Sequence, residues 1–203
     1  MTIDSFKSLY IVYVELNIEQ IYTFLKEDSL TSSFEIELFN NSIEDVYMEK
    51  LYGQSPAVFL GAVFFKPKQL KKGVVVLGNS GGWATLCNYI CKSLNSINIQ
   101  FDINSMESEI HRNSLVMSDS GKIVRSVQSI VDDKGIWQFN ENGEALWFEN
   151  IEYYKVQEKA KRIDKEILVQ YCEKLSLNVK DPSFFESNNE SIFVKRQIRK
   201  TVV

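Results

Sequence analysis

The chain has 203 residues, 44% of them hydrophobic and 25% charged, and a formal net charge of −4 at pH 7. This balance excludes a disordered chain, and no apolar run approaches the roughly 20 residues that a membrane-spanning helix needs. The acidic character argues against nucleic-acid binding, which normally requires a basic face.

The length predicts a single domain over residues 1–203. We divide it into an α/β portion at 1–104, an antiparallel meander at 105–160, and a helix with a tail at 161–203. The first 20 residues hold one lysine and an apolar stretch interrupted by polar residues, which is unlike a signal peptide. We therefore expect a cytoplasmic protein without a membrane segment.

The first portion alternates strand and helix patterns. Residues 7–15 are rich in β-branched and aromatic side chains and predict a strand. Asn17, with Gln20 three residues later, is typical of a capping box that begins a helix. Alternation over residues 34–39 and a continuous apolar run over 57–65 predict two more strands.

Residues 73–84 read GVVVLGNSGGWA and predict a strand, a glycine-rich bend and the start of a helix. The helix has an apolar stripe at helical spacing: Trp83, Leu86, Cys87, Ile90, Cys91 and Leu94. Alternation over residues 97–103 then predicts another strand. Together these elements indicate a βαβ-like unit.

The bend matches the G-x-S-x-G pattern of a hydrolase nucleophile elbow, with Ser80 as the nucleophile. The chain has a single histidine, His111, too early for that fold, and we expect it on the surface. We therefore predict that Ser80 caps the helix. Two alternatives stay open: a serine hydrolase using Ser80 and His111, or a small-ligand or anion loop formed by Asn79, Ser80, Gly81 and Gly82.

Three cysteines, Cys87, Cys91 and Cys172, form no CxxC pair. With only one histidine in the chain, they are expected to be small buried apolar residues, and we predict no metal site and no cofactor.

In the second half, turn signals at residues 119–121, 132–135 and 141–143 separate four short strand-like segments. The segments are SLVM, KIVRSVQSIV, IWQF and ALWFEN, which predict an antiparallel meander. Asp164 is expected to cap a helix, and residues 192–198 form either a last strand or a tail. The predicted fold class is α+β, with a mixed sheet, a βαβ-like N-terminal portion, the meander and a C-terminal helix.

Aromatic residues are dense between 137 and 154, and they cannot all face one side of a sheet. We take Trp147, Tyr153 and Tyr154 as candidates for contact with a protein partner. Arg125 and Glu149 lie on two predicted strands and are candidates for a cross-strand or buried ion pair.

Several motifs between residues 82 and 175 also carry a resemblance. They are Gly-Gly-Trp before a helix, an Arg-containing strand, Trp137-x-Phe139, G-x-x-L-x-F-E, Tyr153-Tyr154, and a helix that begins D-K-E-I-L. This order resembles small bacterial domains grouped with the immunity proteins of polymorphic toxins. The resemblance implies a cytoplasmic, non-enzymatic protein that binds and neutralises a cognate toxin. An acidic chain is compatible with a basic, nuclease-like toxin as partner.

Overall fold

The structure is a computed structural model that describes residues 6–40, 42–51, 59–79, 82–105, 107–109, 111–187 and 190–197. The strands are β1 (Ser8–Val14), β2 (Glu35–Phe39), β3 (Phe59–Phe65), β4 (Val74–Gly78), β5 (Ile97–Asn104), β6 (Arg112–Asp119), β7 (Lys122–Val131), β8 (Trp137–Asn142) and β9 (Ser191–Gln197). The α-helices are α1 (Ile18–Glu27), α2 (Ile43–Lys50), α3 (Trp83–Ser93) and α4 (Lys165–Lys174). None of these helices is long and apolar enough to cross a membrane.

The strands form a single sheet in the order β2-β9-β3-β4-β1-β5-β6-β7-β8. The predicted α+β class is confirmed, but the sheet is not mixed, because every pairing between the described strands is antiparallel. The unit β4–α3–β5 runs strand, helix, parallel strand as predicted. However, β1 lies between its two strands and pairs antiparallel with both.

The sheet separates two hydrophobic clusters. On the first face, residues of β1, β3 and β4 such as Val12, Phe64 and Val76 pack against α1 and α3. On the second face, the neighbouring residues along the same strands pack against α2, α4 and the chain around Phe184. Because successive side chains of a strand point to opposite faces, continuous apolar runs such as Val74–Gly78 are buried on both sides.

Residues 192–197 belong to an interior strand rather than a tail, and residue 198 lies outside the described residues. Strand β9 pairs with β2 on one side and with β3 on the other, so Val194 lies opposite Ile36 and Ala62. Ile192 and Val194 are fully buried on the first face, and Phe193 packs into the second. The end of the chain therefore completes the sheet beside elements formed near its beginning.

Local signals at helix starts are confirmed. The Gln20 backbone N–H donates to Asn17 Oδ1 at 2.8 Å, and the Asn17 N–H donates to Gln20 Oε1 at 3.0 Å, which completes the capping box. Asp164 Oδ1 accepts from the Ile167 N–H at 2.9 Å and caps α4. Helix α2 had no counterpart among the predicted elements.

The meander is confirmed over three strands, β6 to β8, and β7 coincides with the predicted segment. The fourth predicted strand, residues 145–150, is wrong, because this segment is an irregular stretch with a turn at Trp147 and Phe148. The Leu146 N–H donates to the side chain of Glu149 at 2.8 Å instead of to a neighbouring strand. A side-chain acceptor thus replaces the ladder hydrogen bond.

The position of β9 gives a first test. Replacing Val194 by Asp places a carboxylate in the hydrophobic core of the first face, on the strand between β2 and β3. We expect the cooperative thermal transition near the wild-type midpoint to be lost. Lys195→Gln, one residue along the same strand, removes only an exposed pair with Glu35 and should change the midpoint little. Calorimetry measures both, and a wild-type midpoint for Val194→Asp would contradict an interior β9.

Candidate functional site

The first part of the glycine-rich bend, at Asn79, connects strands β4 and β3 through hydrogen bonds. The Asn79 N–H donates to the Gly61 carbonyl at 3.1 Å, and Asn79 Oδ1 accepts from the Gly61 N–H at 3.0 Å. Asn79 therefore extends the pairing of β4 with β3 by one residue, using its side chain. Ser80 and Gly81 lie outside the described residues, so the anion loop that includes them stays a prediction.

Helix α3 begins one position after Gly82, which occupies the N-cap. Ser80 lies outside the described residues, so its role as a cap of this helix stays a prediction. Trp83 packs its indole against Gly78, where an added Cβ would lie 2.2 Å from Trp83 Cδ1. A glycine at the end of β4 is thus required by this close packing.

His111 is exposed, as predicted, and its ring lies 6.4 Å from the ring of Trp137. It precedes β6, which β1 and β5 separate from β4. Three strand spacings of about 4.8 Å place it on the order of 14 Å across the sheet from the strand end at Asn79. No carboxylate of the described residues forms a hydrogen bond with this imidazole, so the hydrolase alternative gains no geometric support.

The three cysteines are buried, as predicted. Burial raises the pKa of the Cys91 thiol to about 11 and raises the pKa values of Cys87 and Cys172 further. In the described ranges, no three His, Cys, Asp or Glu side chains are grouped closely enough to hold a metal ion.

A buried ion pair is the most unusual polar feature of the second face. The side chains of Arg125 and Glu149 are 2% and 0% exposed. Arg125 Nε donates to Glu149 Oε1 at 3.0 Å and Nη2 donates to Oε2 at 2.7 Å, so the carboxylate is held by two parallel bonds. The predicted pair is therefore confirmed as buried, although Glu149 lies on the irregular segment and not on a strand.

The remaining donors and acceptors of this pair are also satisfied. Arg125 Nη1 donates to the Gly143 carbonyl at 2.7 Å, and Nη2 reaches the half-exposed Glu141 at 3.1 Å. The Tyr154 hydroxyl donates to Glu149 Oε2 at 2.6 Å and accepts from the Tyr171 hydroxyl at 3.2 Å. These contacts join β7, the end of β8, the irregular segment and α4 into one network.

The pKa values of the network reflect its burial. Burial, and then the hydrogen bond to Glu149, raise the pKa of Tyr154 well above its ordinary value. Burial by itself would lower the pKa of Arg125, but its bonds to Glu149 outweigh that effect and raise it. At neutral pH the guanidinium is therefore charged and the phenol is protonated.

We call residues 143–158 the Trp147 loop. Its first residue, Gly143, has φ of 83°, and an added Cβ would lie 2.0 Å from the carbonyl oxygen of Val124. The network holds the loop from inside through Gly143, Leu146, Glu149 and Tyr154. The loop is thus fixed by side-chain contacts although it has little regular secondary structure.

The three aromatic candidates on this loop have different surroundings. The side chain of Trp147 is 77% exposed and meets Phe148 edge to face at 5.5 Å between ring centroids. Tyr153 is half-buried, and its hydroxyl donates to Gln170. Tyr154 is only 6% exposed, so as a candidate for partner contact it is wrong, because its hydroxyl is used inside the network.

The Trp147 loop also has other exposed residues, both apolar and charged. Ile151 and Val156 on the same loop are 49% and 39% exposed. Glu144, Glu152 and Glu158 are exposed, while Lys155 is the single basic residue of the loop. Glu152 pairs with Lys155 at 2.6 Å and Glu158 pairs with Lys161 at 2.7 Å, whereas no cation among the described residues pairs with Glu144. The loop therefore presents an aromatic and aliphatic surface with one unpaired acid.

Strand β5 carries a second polar cluster that the sequence analysis missed. Its alternate residues are buried on the first face: Asn98, Gln100, Asp102 and Asn104. Arg112 Nε donates to Asp102 Oδ2 at 2.7 Å, and Asn88 Oδ1 accepts from the amides of Asn98 and Gln100. The alternation is visible in the sequence, but a polar alternation normally indicates an exposed face.

Comparison of the chain with protein-family models, with curated proteins and with solved structures finds no match.

The ion pair can be tested with two variants that touch the same arginine. Glu149→Gln leaves a buried guanidinium without its counter-charge, and we expect a loss of about 3–5 kcal/mol in the free energy of unfolding. Glu141→Gln removes the half-exposed partner and should cost about 1 kcal/mol or less. Urea unfolding measures both values, and equal effects would contradict a structural role for the buried bond.

The raised pKa of Tyr154 predicts a dependence on pH. The folded state keeps this proton above pH 10.0, where an unfolded tyrosine loses it, so the free energy of unfolding falls as pH rises through this range. Tyr154→Phe should be less stable at neutral pH but should lose stability less steeply above about pH 10. Urea unfolding at a series of pH values measures the slopes, and identical slopes would contradict this assignment.

Proposed function

We propose that this chain is a non-enzymatic protein-binding domain and that the Trp147 loop is its binding surface. The observation that carries the proposal is the 77% exposure of the Trp147 side chain on a loop fixed by a buried network. Exposing an indole to water forgoes the hydrophobic stabilisation that burial would give. Tryptophan is also enriched among the residues that dominate protein interfaces.

The rigidity of the loop favours binding. A binding residue on a flexible loop must lose conformational entropy when a partner binds, and this loss weakens the complex. In this chain, Glu149 accepts from the Leu146 N–H and from the Tyr154 hydroxyl, and both bonds fix the loop between its exposed residues. The loop that presents Trp147, Ile151 and Val156 therefore has one fixed conformation in the unbound chain.

The charge of the surroundings favours a basic partner. Of the exposed acids of the Trp147 loop, Glu144 forms no ion pair with a described cation, and the whole chain has a net charge of −4. Opposite charges at the rim of an interface accelerate association and suppress wrong partners. Together with the resemblance to immunity proteins of polymorphic toxins, this charge supports a cytoplasmic protein that neutralises a basic cognate toxin.

The test uses the product of the reading frame next to this gene as candidate partner. We expect its toxicity to be relieved by co-expression of this chain, and the purified pair to bind. Trp147→Ala should weaken binding by about 2 kcal/mol or more, roughly thirtyfold, as measured by titration calorimetry.

Leu30→Ala is the matched control, because Leu30 is 69% exposed but belongs to a different part of the surface, at a 3-10 helix (Ser29–Thr31) that follows α1. It should leave the affinity unchanged. Equal affinity of Trp147→Ala and wild type would contradict the assigned surface, and a neighbouring product that neither binds nor is neutralised would contradict the toxin assignment.

A further inference from the structure

Strand β8 forms one edge of the sheet, because it pairs with β7 on one side and with no described strand on the other. The Val131 N–H donates to the His111 carbonyl on the β6 side of β7. Backbone groups of successive residues in a strand point to opposite sides, so those of Ile130 point toward β8. Gln138 lies opposite Ile130, and the even-numbered residues of β8 therefore bond to β7.

The odd-numbered residues of β8 are Trp137, Phe139 and Glu141, and their backbone groups point outward from the sheet. No described residue accepts a hydrogen bond from these N–H groups or donates one to these carbonyl groups. Natural sheets protect such edges with proline, lysine or a bulge. Strand β8 contains no proline and no basic residue, and its register with β7 is regular.

Neighbouring segments leave this edge open. The Ser129 hydroxyl donates to the Lys159 carbonyl at 2.7 Å, which places the backbone of Lys159 on the second face, under β7. The Lys159 ammonium reaches the side chain of Gln138 at 2.9 Å and no outward backbone group. The Gly143 carbonyl accepts from Arg125 at 2.7 Å, so the Trp147 loop turns back toward β7 directly after β8.

We propose that a second copy of this chain pairs with this edge, β8 against β8 and antiparallel, so that two sheets join into one. In the symmetric register Phe139 lies opposite the partner's Phe139, and Trp137 lies opposite the partner's Glu141. Each of these facing pairs exchanges two backbone hydrogen bonds. On the first face, Gln138 lies opposite the partner's Asn140, which allows their side-chain amides to bond.

Charges at the two ends of β8 select this register. It brings Lys134, in the turn before β8, beside Glu144 at the start of the partner's Trp147 loop. Both residues are exposed, and neither forms an ion pair with a described residue. Sliding one copy by two residues would bring Glu144 beside the partner's Asp132 or the partner's Ile136 instead, and facing like charges are destabilising.

The test is sedimentation equilibrium of the intact chain at concentrations from about 1 μM to about 1 mM. We expect a monomer–dimer equilibrium with a dissociation constant near or below about 100 μM. A chain that stays monomeric over this whole range would overturn the proposal.

Two variants at one position separate the backbone from the side chain. Glu141→Pro removes an outward N–H and should weaken the dimer at least about tenfold, and an edge strand tolerates proline at such a position. Glu141→Ala loses the same side-chain bond to Arg125 but keeps the N–H, so it should dimerise within about threefold of wild type. Thermal unfolding checks that both variants are folded, and equal dimerisation of the two would overturn the proposal.

A charge exchange tests the register without altering the backbone. Lys134→Glu faces the partner's Glu144 with a like charge and should weaken the dimer about fivefold. Adding Glu144→Lys to this variant exchanges the two charges and should restore the dimer. Failure of the double variant to recover would overturn the register.

The dimer is independent of the proposed protein-binding function, because Trp147 does not belong to the β8 edge. Trp147→Ala should therefore leave the dissociation constant of the dimer unchanged. Loss of the dimer in this variant would place the contact on the Trp147 loop and overturn the edge assignment. A monomeric wild type would leave the proposed binding surface at Trp147 standing.

Discussion

The buried bond between Arg125 and Glu149 is the interaction on which the second half of the structure depends. Removing two charges from water costs several kcal/mol for each ion, and the cost is offset only when every donor and acceptor finds a partner. In this chain the guanidinium reaches Glu149, Glu141 and the Gly143 carbonyl. The carboxylate in turn accepts from Leu146 and Tyr154. Replacing either residue therefore leaves the charge of the other buried without its partner.

This constraint explains how an irregular segment can be held in one conformation. A loop with few ladder hydrogen bonds is normally among the least stable parts of a domain. The Trp147 loop instead has its polar atoms tied to β7 and α4, and Phe148 is 1% exposed in the core. Adjacent residues of one turn thus have opposite roles, since Phe148 anchors the loop and Trp147 faces solvent.

The two proposed surfaces lie next to each other at one end of the sheet. The Trp147 loop packs on the second face at the β7–β8 end, while the outward backbone groups of β8 lie at the edge of the sheet itself. The bond from Arg125 to the Gly143 carbonyl turns the loop back toward β7 and so leaves this edge open.

Features with a local cause could be predicted from the sequence. The Asn17 capping box, the Asp164 cap and the extent of β7 follow from neighbouring residues and their periodicity. Features that depend on distant partners could not. In the sequence, ALWFEN has the composition of a strand, and only the position of Arg125 shows why Glu149 turns inward. The insertion of β9 beside β2 and β3 likewise depends on pairing across most of the chain, and no local pattern reveals it.

The candidate site was predictable only where its features depend on neighbouring residues in the sequence. The density of aromatic residues pointed to Trp147, but Tyr154 looks equally suitable until its hydroxyl is seen to donate to Glu149. The open edge of β8 could not be predicted, because the order of the strands depends on pairing between distant segments.

Native-state hydrogen exchange at the Leu146 amide tests the central claim most directly. This amide lies outside every helix and strand, and its acceptor is the buried Glu149 side chain. If the ion pair fixes the loop, the Leu146 amide should exchange as slowly as interior amides of β7, through global unfolding. Exchange at the rate of an unprotected loop would show that the loop opens independently and would contradict the account.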